Sequence, residues 1–145
     1  MHLVIVDLIP ALLLWEGRDL SGEPDLAPGA AHALGHLFDA FQVIGVADAG
    51  TTSAFLRRHL EQLEVAAFFD TVVTSAEHGP VLTARAIRRI VRTAAPKERG
   101  VFITARPHLA EEMRRARMAV VLTAHADFET VPDAVFDIAD GRATP

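Results

Sequence analysis

The sequence contains no cysteine, and only one of its fourteen basic residues, Lys97, is a lysine. Without cysteine the chain can form no disulfide, no thiolate nucleophile and no cysteine-ligated metal centre. The shortage of lysine leaves arginine as almost the only cation that a site could use. The net charge of −5 argues against nucleic acid and anionic membranes as partners, because both require a basic face.

Long hydrophobic runs are also missing, and the apolar stretches are far too short to span a bilayer. Met1 and His2 lead directly into a predicted strand without the basic start of a signal peptide. We therefore expect a cytoplasmic protein. A length of 145 residues with half of them hydrophobic fits one globular domain with a core of its own, spanning residues 1–145.

Short β-branched runs alternate with helical patterns along the chain, which predicts an α/β fold with a parallel sheet. The runs are almost continuously apolar, as in strands that helices cover on both faces. The predicted strands are Leu3–Val6, Val43–Val46, Thr71–Thr74, Val101–Ile103, Ala119–Leu122 and, with the weakest pattern, Ala134–Ile138.

Four helices are predicted between these strands. The first helix begins after Pro28-Gly29, and the second begins after Thr51-Thr52-Ser53. The third spans about Val81–Ala94, and the fourth runs from near Pro107 to near Arg117. The first is expected to turn Leu34, Leu37, Phe38 and Phe41 inward. The segment Ile9–Leu26 is rich in glycine and proline and is predicted to be a loop or hairpin.

Taken in order, these segments resemble the haloacid dehalogenase superfamily, most of whose members are phosphohydrolases. The matching stretches are LVIVD, LAPGAAHALGHL, QVIGVADAGTTSAFLRRHLEQLEVAAFFDTVVTSAEHG, GVFITARPHLAEEMRRARMAVVL and DAVFDIAD. The resemblance implies a three-layer Rossmann-like parallel sheet with helices on both faces. It also implies a flap of about residues 9–27 in place of a full cap domain.

The same resemblance places the family's nucleophile at Asp7, but most of its partners are replaced. Ile9 stands where the family has its general acid, and Ala47 where it has the phosphate-binding Ser or Thr. Val81 or Leu82 stands where the family has the lysine that holds the phosphoryl oxygens. We therefore expect Asp7 to be a vestigial nucleophile.

The metal-binding motif of the family is replaced in a similar way. Thr104-Ala105 and Leu109 stand where the family has the acidic residues that hold Mg²⁺. We therefore expect no cofactor, with Mg²⁺ needed only if the chain is a phosphatase after all.

Other residues near this site leave alternatives open. Asp48 is either an auxiliary carboxylate facing Asp7 or a cap for the helix that follows Thr51. Arg106, together with Thr104, precedes a helix start at which an anion could be held. His32 and His36 have a spacing that suits a metal, but no third ligand is evident, so a solvated face is preferred.

The flap carries a dense apolar group: Leu12, Leu13, Leu14 and Trp15. Either these side chains fold into the core, or they form a homodimer or protein-partner interface through residues 11–17.

The sequence thus favours a non-catalytic protein that acts by binding a protein or a small ligand. The alternative is a weak phosphatase or other hydrolase with Asp7 as its nucleophile. A third interpretation is a sensor of small anions or nucleotides that uses the old pocket near Asp7, Asp48 and Arg106.

Overall fold

The computed structural model describes residues 3–16, 20–48, 50–123 and 128–141 of the chain. Its centre is a five-stranded parallel sheet in the order β5-β4-β1-β6-β7. The strands are β1 (Leu3–Asp7), β4 (Gln42–Ala47), β5 (Thr71–Thr74), β6 (Gly100–Thr104) and β7 (Ala119–Leu122). The first five predicted strands are therefore confirmed, with bounds that differ by no more than one residue.

Helices connect these strands, and sequence signals mark several of their starts. The helices are α1 (Leu8–Ala11), α2 (Ala30–Ala40), α3 (Ser53–Gln62), α4 (Ser75–His78), α5 (Ala84–Ala94), α6 (Pro107–Arg115) and α7 (Val131–Ala139). The hydroxyls of Thr52 and Thr83 accept hydrogen bonds from amides in the first turns of α3 and α5. Nowhere in the described ranges is there a helix of the length and apolarity needed to cross a membrane.

The side chains of the sheet alternate between two apolar clusters, one on each face. Val4 and Val6 of β1 belong to the first cluster, whereas Leu3 and Ile5 belong to the second. The first cluster also holds residues of α2, α3 and α7, namely Leu34, Leu37, Leu56, Leu60, Val131 and Val135. The second holds residues of α5 and α6, namely Ile87, Leu109, Ala110 and Met113. The sheet is therefore covered on both faces, in the three layers that the sequence predicts.

The predicted strand Ala134–Ile138 is wrong, because this segment lies within helix α7. Pro132 is in the first turn of the helix, and Val131 and Val135, four residues apart, are its buried positions together with Pro132. A short apolar run does not by its composition distinguish a strand from a buried helix face.

Phe38 is a second correction, since it is 51% exposed and does not face the core. Leu34, Leu37 and Phe41 are buried as predicted. A residue directly after a buried helical position is rotated by about 100° around the helix axis. The Phe38 ring lies against Phe68, with 5.7 Å between ring centroids, at the protein surface.

The segment after β1 contains the predicted hairpin. Helix α1 is a single turn with non-helical backbone at Ile9 and Pro10, and β2 (Leu13–Leu14) pairs antiparallel with β3 (Asp25–Leu26). Leu13 lies opposite Leu26 in this pairing. The hairpin joins the same apolar cluster as α2, so it packs onto the domain.

Two glycines in this fold predict opposite effects of the same substitution. A Cβ at Gly45 of β4 would lie 2.9 Å from Leu8 Cδ1, and Leu8 is fully buried. We expect Gly45→Ala to lower the free energy of unfolding by about 1–3 kcal/mol through overpacking. A Cβ at Gly35 of α2 would have its nearest neighbour, an atom of Phe68, 3.9 Å away. Gly35→Ala should therefore raise the free energy of unfolding by about 0.5–1 kcal/mol. Urea denaturation measures both, and equal effects would contradict the packing at Gly45.

Candidate functional site

The strand order creates a crevice beside the central strand. The chain moves outward from β1 through β4 to β5 on one side, and from β6 to β7 on the other. In such a sheet, ligands bind outside the carboxyl ends of the strands at the point where the order reverses. Here that point lies between β1 and β6, where Asp7 and Thr104 are the last residues of their strands.

Three of the predicted site residues meet at this point. The side chain of Asp7 is completely buried, and its Oδ2 accepts a hydrogen bond of 2.9 Å from Thr104 Oγ1. Arg106 Nε lies 3.3 Å from the same oxygen. Among the described residues, Asp7 Oδ1 has no hydrogen-bond partner, although it too is buried. Thr104 and Arg106 thus both pair with the same oxygen of the carboxylate.

Arg106 is held over Asp7 by its own backbone and by the turn after β1. Its amide donates to Thr104 Oγ1 at 3.1 Å, and its guanidinium donates to the carbonyl of Ile9. The arginine thus bridges the ends of both strands, and 43% of its side chain remains exposed. Two of the three guanidinium nitrogens of Arg106 are thus engaged within the chain, one with Asp7 and one with Ile9.

Burial raises the pKa of Asp7 from its ordinary value of 3.8 to about 6. The positive charge of Arg106, the Thr104 hydroxyl and, most weakly, the Ile9 backbone lower this pKa, whereas the negative charge of Asp48 adds to the rise. The loss of hydration on burial is thus the dominant influence on this carboxyl group.

Asp48 is exposed just beyond β4 and influences Asp7 through its charge. Its predicted role as a helix cap is wrong, because Thr52 is the cap of α3 and accepts from Phe55 N at 3.2 Å. The other predicted role, as an auxiliary carboxylate, stays a prediction.

Glu77 is a site residue that the sequence analysis missed. It accepts hydrogen bonds from the Ser53 amide at 2.8 Å, the Ser53 hydroxyl at 3.1 Å and the Thr74 hydroxyl at 2.8 Å. The Ser53 amide first, and then the Thr74 hydroxyl, lower the pKa of Glu77. A carboxylate of the chain itself therefore occupies the start of α3. Only the adjacency of β4 and β5 could have predicted this contact.

These residues do not fit a Mg²⁺ ion. Mg²⁺ requires several oxygen ligands in open octahedral geometry, and Asp7 is buried against a cation with Ile9 beside it. In the ranges that the structure describes, no group of three or more His, Asp or Glu residues is placed to hold a metal. His32 and His36 contact each other, with 3.1 Å between their Nε2 atoms, on the exposed side of α2.

The flap residues are only partly available to a partner. Leu12 and Leu13 are fully buried in the core of the chain, as the first of the two alternatives predicts, so the interface predicted for them is wrong. Leu14 and Trp15 are half-buried. The Trp15 indole N–H donates to the Gly22 carbonyl at 3.1 Å. Gly17, predicted to end the interface segment, lies outside the described residues.

Trp15 also packs on helix α3 through two aromatic contacts. Its ring centroid lies 6.4 Å from that of Phe55 and 5.4 Å from that of His59. His59 is buried, and its Nδ1 lies 3.6 Å from a carboxylate oxygen of Glu23. His59 is not among the predicted site residues, although its helical position four residues after Phe55 indicates a contact between the two rings.

The buried Asp7 predicts an unusual dependence of stability on pH. Because its pKa is raised in the folded chain, folding favours the protonated carboxyl, and this stabilisation is lost as the pH rises through about 6. Relative to Asp7→Asn, the free energy of unfolding of the native chain should fall by about 2–3 kcal/mol between about pH 4 and about pH 7.5. Urea denaturation of both proteins at both pH values tests this. A difference that does not change with pH would contradict it.

No protein-family model matches the sequence, and no curated protein matches it significantly.

Proposed function

We propose that the chain is a non-catalytic protein with a haloacid-dehalogenase-like fold, and that it acts by binding. The observation that carries this proposal is the state of Asp7, whose side chain has no exposed surface and is paired with Thr104 and Arg106. A carboxylate nucleophile must reach the atom it attacks. Asp7 is closed off from a substrate at the place where the resemblance puts the nucleophile.

The surroundings of Asp7 support the same conclusion. Ile9 stands where the resemblance expects a general acid, and its side chain can neither donate nor accept a proton. The Ile9 carbonyl instead fixes Arg106 over Asp7. Removing the acid and covering the nucleophile would each lower a phosphatase rate by several orders of magnitude.

The start of α3 provides a second, separate support. Free amides at a helix start attract anions, and a phosphatase of this fold would use such groups to hold a phosphoryl oxygen. Here the amide and the hydroxyl of Ser53 both donate hydrogen bonds to the Glu77 carboxylate. An incoming phosphate would have to displace a carboxylate and would be repelled by it.

Of the two kinds of binding, the burial of the flap favours a small ligand. A homodimer or protein partner at residues 11–17 could not contact Leu12 and Leu13, because both side chains are buried in the core. It would be left with parts of Leu14 and Trp15, less apolar surface than the core of a stable interface requires.

The alternative is a weak phosphatase with Asp7 as nucleophile, and one observation favours it. The buried Oδ1 of Asp7 has no hydrogen-bond partner in the described part of the chain, and a pKa of about 6 leaves the carboxyl mostly ionised at neutral pH. An ionised oxygen without a partner is what a nucleophile needs.

Turnover of an aryl phosphate with Mg²⁺ at neutral pH distinguishes the non-catalytic protein from the weak phosphatase. We expect the native chain to show no rate above the buffer background, because Asp7 is inaccessible and lacks its acid. Asp7→Asn and the matched control Asp39→Asn, an exposed carboxylate on α2, should give the same background. Turnover that Asp7→Asn abolishes and Asp39→Asn retains would establish the phosphatase instead.

A further inference from the structure

A large cavity lies on the opposite edge of the sheet from Asp7, at the amino ends of β6 and β7. Its volume is about 800 Å³, within the range of small-molecule sites. Among the described residues, four arginines line it: Arg88 and Arg92 of α5, Arg99 before β6, and Arg117 before β7. We call this cavity the arginine pocket.

The positive charge of the arginine pocket is not neutralised within the described part of the chain. None of the four arginines forms a salt bridge there, although the chain as a whole has a net charge of −5. Arg88 and Arg92 are four residues apart on α5, a spacing at which like charges destabilise a helix. An anion in the pocket would relieve this repulsion.

Arg88 is positioned at the rim by a contact outside its own helix. Its guanidinium donates to the carbonyl of Ala116, in the turn that precedes β7. This contact joins the arginine of α5 to the segment that carries Arg117. The two sides of the cationic rim are thus held together before any ligand binds, which reduces the ordering that binding requires.

The floor of the arginine pocket is apolar. It includes Val101, Met118 and Ile138, contributed by β6, the turn before β7 and α7. Among the residues that the structure describes, neither an acidic residue nor a histidine lines the pocket. This described lining provides cations and apolar surface and no general acid or base, which suits binding without turnover.

We propose that the arginine pocket binds a nucleoside polyphosphate, with its phosphates on the arginines and its base over the apolar floor. Arginine guanidinium groups match phosphate oxygens in pairs and also stack on flat rings, so four of them suit a ligand with several phosphates and a base. The concave shape and the acidic net charge favour such a small molecule over a nucleic-acid chain. Because this site shares no residue with the Asp7 site, phosphatase activity at Asp7 would leave the proposal unaffected.

Isothermal titration calorimetry of the full chain with ATP, inorganic tripolyphosphate and adenosine tests the proposal. We expect ATP to bind, and tripolyphosphate and adenosine to bind at least about tenfold more weakly, because each lacks half of the contacts. In the double variant Arg92→Gln/Arg117→Gln the Kd for ATP should rise at least about tenfold. The matched control Arg85→Gln/Arg114→Gln removes two exposed charges outside the pocket. It should change the Kd for ATP less than about threefold.

Several outcomes would overturn the proposal. One is the absence of ATP binding, or ATP binding that both double variants weaken equally. Another is tripolyphosphate binding as tightly as ATP, which would leave the apolar floor without a role. A third is that an oligoglutamate peptide binds more tightly than ATP and that Arg92→Gln/Arg117→Gln abolishes this binding, which would indicate a protein partner. Should that variant fail to fold, Arg99→Gln, in an exposed turn, should raise the Kd for ATP at least about threefold.

Discussion

The rest of the site depends on one buried carboxylate, that of Asp7 at the end of the central strand. A charge in this position loses its hydration, and an unpaired one would destabilise the fold by several kcal/mol. Thr104 and Arg106, from the end of the neighbouring strand, compensate part of this loss. Their contacts join β1 to β6 beyond the last pair of the sheet, and they close the crevice that the strand order opens.

The two edges of the sheet consequently differ in how their charges are used. At the carboxyl edge the charges are paired inside the chain: Arg106 covers Asp7, and Glu77 occupies the start of α3. At the amino edge four arginines surround a cavity without carboxylate partners among the residues described. Charge already satisfied within a fold is poorly available to a ligand, whereas uncompensated charge beside an apolar surface is available. The described arginines of the arginine pocket are therefore more available to a ligand than the charges in the crevice at Asp7.

The sequence predicted the parallel sheet well because its strands are short β-branched runs bounded by turns and caps, and such patterns act locally. It failed at Ala134–Ile138, where one apolar run fits a strand and a helix face equally. It also failed at Phe38, because helical periodicity gives the centre of the buried face and not its width. Asp7, Thr104 and Arg106 could be predicted as neighbours, because the carboxyl ends of adjacent parallel strands meet at one edge.

The sequence by itself determined the α/β architecture, the absence of thiol chemistry and the presence of an apolar residue, Ile9, two positions after Asp7. These are properties of residue type and local spacing. Only the tertiary structure decided that Asp7 is sealed beneath Arg106, that Glu77 reaches Ser53, that Leu12 and Leu13 belong to the core, and that four arginines meet around one cavity. Each of these depends on distances between segments far apart in the chain, which are set when the sheet assembles and the helices pack on it.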